Sequence, residues 1–126
     1  MLRQLRQRAS EELSTARQIV LSAFGPADIQ SEVLACESVG LALYVLVPRT
    51  SDLLFNLESS RVVVGTADTW QVRGAARLLK PGEYPEGLAI ARTPEASWSE
   101  MVEICPTRLQ LRPPHDQAQG ETIDIS

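Results

Sequence analysis

The sequence predicts a mainly β protein: six antiparallel strands closed into a small barrel, with an N-terminal helix and a few short helical turns. Three observations predict it. Trp70–Leu79 alternates with a period of two, placing Trp70, Val72, Ala76 and Leu78 on one face and Gln71, Arg73 and Arg77 on the other. Successive strand side chains point to opposite faces, so one face meets a core and the other meets solvent or a partner. Strand-like runs come in hairpins, with turn chemistry at Gly25-Pro26-Ala27-Asp28 and Ala67-Asp68. Residues 41–47 are apolar on both faces, as a strand covered on both sides requires. Closure into a barrel removes exposed strand edges. A barrel this small is filled by its own side chains, so a ligand belongs outside it or between two subunits.

Taken in order, Leu2, Leu5, Ala9, Leu13 and Ala16 recur near helical spacing and predict one amphipathic helix over residues 2–15. Ser10 followed by Glu11 and Glu12 also reads as a cap, so two shorter helices are the alternative. Gln18–Phe24 and residues 29–37 form the first hairpin, and Pro48 ends the strand at 41–47. Ser51 and Asp52 suit the N-terminus of a short helix through Leu53, Leu54 and Leu57, one by its hydroxyl and one by its charge. Residues 61–66 and 69–79 make the next hairpin. Lys80-Pro81-Gly82 breaks the pattern, a short helix follows at 88–92, and Thr93-Pro94-Glu95 opens another. The last long strand covers residues 101–112. Pro106 cannot donate to a ladder and marks a bulge or an edge there. After Pro113-Pro114 and a polar loop at 115–120, residues 121–125 alternate and can add a terminal strand.

At 126 residues the chain reads as a single domain, with a helical segment at 1–17 and a tail at 113–126. A chain of this length buries enough surface to fold without a disulfide or a metal. A net charge of −4 argues against a binder that neutralises nucleic-acid phosphates. No apolar run approaches the ~20 residues that span a bilayer, so no membrane attachment is expected. The basic start lacks the apolar core of a secretory signal, which leaves a cytoplasmic location as the plain reading. Cys36 and Cys105 lie in apolar strand-like runs and read as buried small hydrophobes. His115 is the sole histidine, so neither a multi-histidine metal site nor a Ser-His-Asp triad can be assembled, and no phosphate-loop or dinucleotide fingerprint occurs.

Three short patterns resemble the FMN-binding split-barrel family, which includes pyridoxamine 5′-phosphate oxidase. They are Asn56-Leu57 before an apolar strand at Val62, Val72-Arg73-Gly74-Ala75-Ala76, and Pro106-Thr107-Arg108-Leu109-Gln110-Leu111. The likeness covers roughly residues 15–112. It implies a homodimer with FMN, or another small-molecule ligand, in clefts at the subunit interface. The stretch matching the family's phosphate-binding segment is Pro48-Arg49-Thr50-Ser51-Asp52-Leu53-Leu54-Phe55-Asn56-Leu57. It carries over Arg49, Thr50 and Ser51 as candidate phosphate ligands. The family's lysine is replaced by Leu53, and Asp52 adds a negative charge.

Each candidate has a second reading. A phosphate needs positive side chains or oriented N–H groups, which Arg49 and the helix start can supply. Alternatively, Ser51 only caps the helix and Arg49 lies solvated on the rim. Trp70 either covers one side of an isoalloxazine ring or packs in the core. Gln71 either bonds a flavin edge or is a solvated or interface residue. Arg73 and Arg77 either meet acidic groups across an interface or lie on a solvated face. The resemblance therefore implies a small flavin-dependent oxidoreductase of unknown substrate, with no assignable catalytic side chain, since the cofactor performs the redox step. The alternative is a dimeric barrel without flavin that binds a ligand or a partner, with haem or a deazaflavin as related occupants of the cleft.

Overall fold

The computed structural model describes residues 2–25, 28–59, 62–111 and 121–125. Helix α1 spans Leu2–Leu13. Strands β1 (Gln18–Phe24), β2 (Ile29–Val39) and β3 (Ala42–Pro48) follow, then helix α2 (Asp52–Ser59), β4 (Val62–Thr66) and β5 (Trp70–Leu79). Three 3₁₀ turns at Pro81–Glu83, Ala89–Arg92 and Pro94–Trp98 lead into β6 (Ser99–Leu111), and β7 covers Glu121–Asp124. The strands lie in the order β3-β2-β1-β4-β5-β6-β7, all neighbours antiparallel, and a further β3–β6 pairing closes the first six into a barrel. β7 pairs with β6 outside that closure. No helix among the described residues is long and apolar enough to cross a membrane.

Helix α1 is continuous. Ser10 lies inside it rather than capping a second helix, and the Ser14 and Thr15 hydroxyls end it by donating to the carbonyls of Glu11 and Glu12 at 2.7 Å each. Ala9 and Leu13 reach the barrel core, as do Leu53 and Leu57 of α2. Gly25 donates its N–H to the Asp28 carbonyl at 2.7 Å, and a Cβ at Gly25 would stand 2.5 Å from Asn56 Oδ1. The buried Asn56 thus sits directly under the first hairpin. Between β2 and β3, Gly40 takes φ +60°, a conformation that costs glycine nothing.

The strand expected at 41–47 is covered on both faces. Leu43, Val45 and Val47 point into the barrel, while Tyr44 and Leu46 point outward under Leu88 and Ile90. The outer cover is neither a long helix nor a second subunit but the chain's own run of 3₁₀ turns. Pro106 does mark a bulge: Arg73 faces Arg108 but Gly74 faces Pro106, leaving Thr107 as the extra residue. At Gly74 a Cβ would collide with the Cys105 carbonyl and lie 2.8 Å from Pro106 Cα.

One cysteine departs from expectation. Cys36 is buried, and burial pushes its thiol up to about 11. Cys105 is exposed on the outer face of β6. Cys105 shares the outer face with Met101 and Glu103, and the bulge at Thr107 offsets this phase from the inward Leu109 and Leu111. Pro26, Ala27, Arg61, Arg112, Pro113, Pro114 and the loop around His115 lie outside the described residues.

Candidate functional site

The loop from β3 into α2 carries the expected phosphate ligands, and its donors are largely committed within the chain. Arg49 Nε donates to Glu100 Oε1 at 3.0 Å and Nη1 to the Ser97 carbonyl at 3.0 Å. The Ser51 hydroxyl donates to Glu32 Oε2 at 2.6 Å and accepts the Leu53 N–H at 3.1 Å, so it caps α2. Main-chain N–H groups of Arg49, Ser51 and Leu54 go to the carbonyls of Trp98, Pro48 and Ser51. Thr50 is exposed, and Asp52 occupies the first turn of α2. A serine hydroxyl has one proton to give, and here a carboxylate takes it. The loop ties β3, β2 and the start of β6 together, and with Glu32, Asp52 and Glu100 against one arginine it is a poor fit for a phosphate group.

Trp70 lies wholly inside the barrel at 0% exposure, among core side chains. Its packing follows the core alternative and leaves no ring face for a ligand within this subunit. Gln71 is exposed on the outer face of β5, where Nε2 donates to Thr66 Oγ1 at 3.3 Å. It borders a recess of about 200 Å³ formed with Val64, Arg73, Arg108 and Gln110. Arg49 sits beside Ser97 and Glu100, past the opposite end of β5. The strand separates Arg49 from Gln71 by roughly 25 Å at ordinary strand rise. One subunit does not bring the candidate residues together.

The outer face of the sheet carries an exposed apolar strip. Phe24 pairs with Ile29, Ser22 with Ser31 and Val20 with Val33 across β1 and β2. Ile29 and Val33 are 57% and 66% exposed, and Phe24, Val20 and Val62 are also exposed. The serines hydrogen-bond to each other at 2.8 Å, which removes their polarity from the strip. Beside it a groove of about 900 Å³ runs from the end of α1 to the β4–β5 turn, with Arg17, Val20, Val33 and Thr66 in its walls. The face thus grades from apolar on β1 and β2 to polar at Gln71, Arg73, Arg108 and Gln110. Arg73 and Arg108 are direct cross-strand partners, and neither has an ion pair among the described residues. Like charges so placed repel and are stabilised by an acidic or anionic neighbour.

Arg77 behaves differently from Arg73. It donates to Glu103 Oε1 at 3.0 Å and to Glu83 Oε2 at 3.4 Å, while the Tyr44 hydroxyl donates to Glu103 Oε2 at 2.8 Å. Burial, then the bond to Glu103, pushes the Tyr44 phenol up to about 12. Partial burial pushes the Glu103 carboxyl up. The bonds from Tyr44 and Arg77 outweigh this and hold it below the usual carboxylate range. Burial and the nearby Glu103 charge raise the Cys105 thiol, which makes it a poor nucleophile.

Sequence reasoning missed Glu32 and Glu100, which hold Ser51 and Arg49, and the exposed strip on β1 and β2. The two carboxylates gave no local signal, being 19 and 51 positions from their partners. The strip did give one. Val20 stands between Ile19 and Leu21, and Val33 precedes Leu34, so both strands are apolar on the outward face as well.

No family model matches the chain, and no curated protein matches it. Solved structures do, at low identity. General stress protein 26 from Bacillus anthracis aligns with a TM-score of 0.68 at 16% identity, over 94% of this chain and 98% of that one. A protein related to general stress protein 26, of the pyridoxinephosphate oxidase family, from Clostridium acetobutylicum gives 0.69 at 10% identity, over 99% and 96%. A haem-binding protein from Mycobacterium smegmatis gives 0.70 at 10% identity, over 95% of this chain and 57% of that one. The chain has the split-barrel fold that these proteins share.

Proposed function

We propose that this chain works as a homodimeric split barrel in which the outer sheet faces of two copies enclose a planar ring of the flavin class. FMN is the occupant that the family likeness implies, and the resulting activity would be that of a small flavin-dependent oxidoreductase. The observation that carries the reading is the exposed apolar strip of Val20, Phe24, Ile29 and Val33, bordered by the polar recess at Gln71. A flavin supplies the redox chemistry when bound. The chain's own residues exclude water from the ring through the valines and offer Gln71 to its polar edge. A second copy supplies the opposite wall, because the strip of one barrel is an open outer face. The split-barrel neighbours of the pyridoxinephosphate oxidase type support this class of ligand.

A second reading is a dimer that binds a different ligand or a partner without flavin chemistry. The commitment of Arg49 to Glu100 and of Ser51 to Glu32 favours it. The haem-binding neighbour makes haem a related occupant.

The test is a visible spectrum of the purified protein, followed by flavin titration. Flavin absorbance as isolated, or saturable quenching of flavin fluorescence, is the expected result. Colourless protein that leaves that fluorescence unchanged at high micromolar concentration ends the flavin reading. An intense band near the blue edge of the visible instead identifies haem.

A further inference from the structure

The β3–α2 loop has residue types that hold phosphate, but the Ser51 proton and part of the Arg49 guanidinium are given to carboxylates and a carbonyl of the chain itself. Arg49 is turned onto Glu100 and the Ser97 carbonyl. Ser51 gives its proton to Glu32, and the Leu53 N–H, one of the free groups at the start of α2, is taken by Ser51. Asp52 stands in the same first turn. The loop therefore carries one guanidinium, paired with Glu100, while Glu32 holds Ser51 and Asp52 adds a third carboxylate in the first turn of α2. The phosphate monoester of FMN, once doubly ionised, can only accept, so it can bond neither Glu32 nor Glu100. The Ser51 proton and two of the Arg49 contacts are open to it only when those pairs yield, and the carboxylates repel it in any case. The Arg49–Glu100 pair would yield most easily, since the Arg49 side chain is 56% exposed and exposed pairs are weak. The Ser51–Glu32 bond is shorter, partly buried and charge-assisted, which makes it the firmer half.

We propose that Glu32 and Glu100 make this loop select against a phosphate group, so that riboflavin, a flavin without phosphate, binds at least as tightly as FMN. The ring half of this statement rests on the flavin reading given above. The phosphate half rests on the loop geometry alone.

Two measurements separate the halves. In the first, methyl phosphate, a monoester kept doubly ionised at mildly alkaline pH, is titrated into the wild type, Glu32→Gln, Glu100→Gln and the double variant, and the amide shifts of residues 49–54 are followed at matched ionic strength. Glutamine keeps each side chain's shape and an acceptor while removing the charge. The wild-type loop should show no saturable shift at millimolar phosphate. The double variant should gain a saturable site roughly tenfold or more tighter. A wild-type loop that saturates like the double variant overturns the proposal, and so does a double variant that gains nothing. In the second, the wild type and double variant are titrated with riboflavin and FMN. The wild type should bind FMN no tighter than riboflavin, and the double variant should shift toward FMN. A wild type that binds FMN tighter than riboflavin, beyond the error of the titration, overturns the proposal. If neither flavin binds, the ring reading fails while the phosphate titration still decides the loop.

Discussion

Glu103 gathers three side chains onto one carboxylate: Tyr44 on one oxygen, with Arg77 and the Cys105 thiol on the other. Its side chain is 17% exposed, so these bonds form in a partly dry setting, while Arg77 at 60% is well solvated. Hydrogen bonds to a charged group contribute ~1.5–3 kcal/mol when shielded. Solvent screening of Arg77 brings the expected cost of Glu103→Gln toward the low end, about 1 kcal/mol. The sign with pH follows from the depressed carboxyl. In the unfolded chain Glu103 has its ordinary value of 4.5, and in the folded chain a lower one. Its contribution is fully present above pH 4.5 and is lost as the pH falls through the folded value. Urea melts of the wild type and Glu103→Gln should therefore differ at neutral pH and converge at low pH. A gap that persists unchanged in acid would mean that Glu103 acts through shape rather than charge.

Among the elements, β5 and β6 meet at a bulge that fixes both strands. Gly74 faces Pro106, and the Cys105 carbonyl fills the space where a side chain would begin. Gly74→Ala forces the two backbones apart and should cost ~1–3 kcal/mol, as overpacking does. Chemical denaturation measures it. A change inside the roughly 0.5 kcal/mol scatter of surface substitutions would mean that the bulge yields freely. The same region shows what periodicity can and cannot convey. β1 and its hairpin were legible because proline and glycine punctuate a short apolar run. The cover over Tyr44 and Leu46 was legible as a cover, though not as 3₁₀ turns of the same chain. The outward turn of Cys105 was not legible, because one extra residue at Thr107 inverts every side chain before it. Arg49 looked like a free cation because its partner lies on a strand that only barrel closure brings near. The closing β3–β6 pairing is a long-range event with no local signature.

At the scale of the whole molecule, the barrel has satisfied its interior and left an apolar face outside. Ala9, Leu13, Leu53 and Leu57 join the barrel's own side chains in one core, so the helices offer no further cover for that face. Val20 and Val33 form a cross-strand pair, Phe24 and Ile29 another, and all four are exposed. Their strands were legible in the sequence but their outward facing was not, since apolarity alone does not distinguish the inside of a barrel from its outer face. A two-fold dimer is isologous, so one substitution on this face is felt twice. Val33 is 66% exposed in the single chain, so Val33→Glu has little to disturb in the barrel itself. In a dimer it would place a like charge on each side of a desolvated seam. Dimer affinity should fall at least ~100-fold, close to 3 kcal/mol, with the thermal unfolding of the dissociated barrel retained. Sedimentation velocity at micromolar protein should then show the wild type as a dimer and Val33→Glu as a monomer. In the proposed dimer the cleft needs both copies, so saturable ring binding should disappear with it. A wild type that sediments as a monomer would remove the composite cleft, and a Val33→Glu variant that remains dimeric would place the seam on another face.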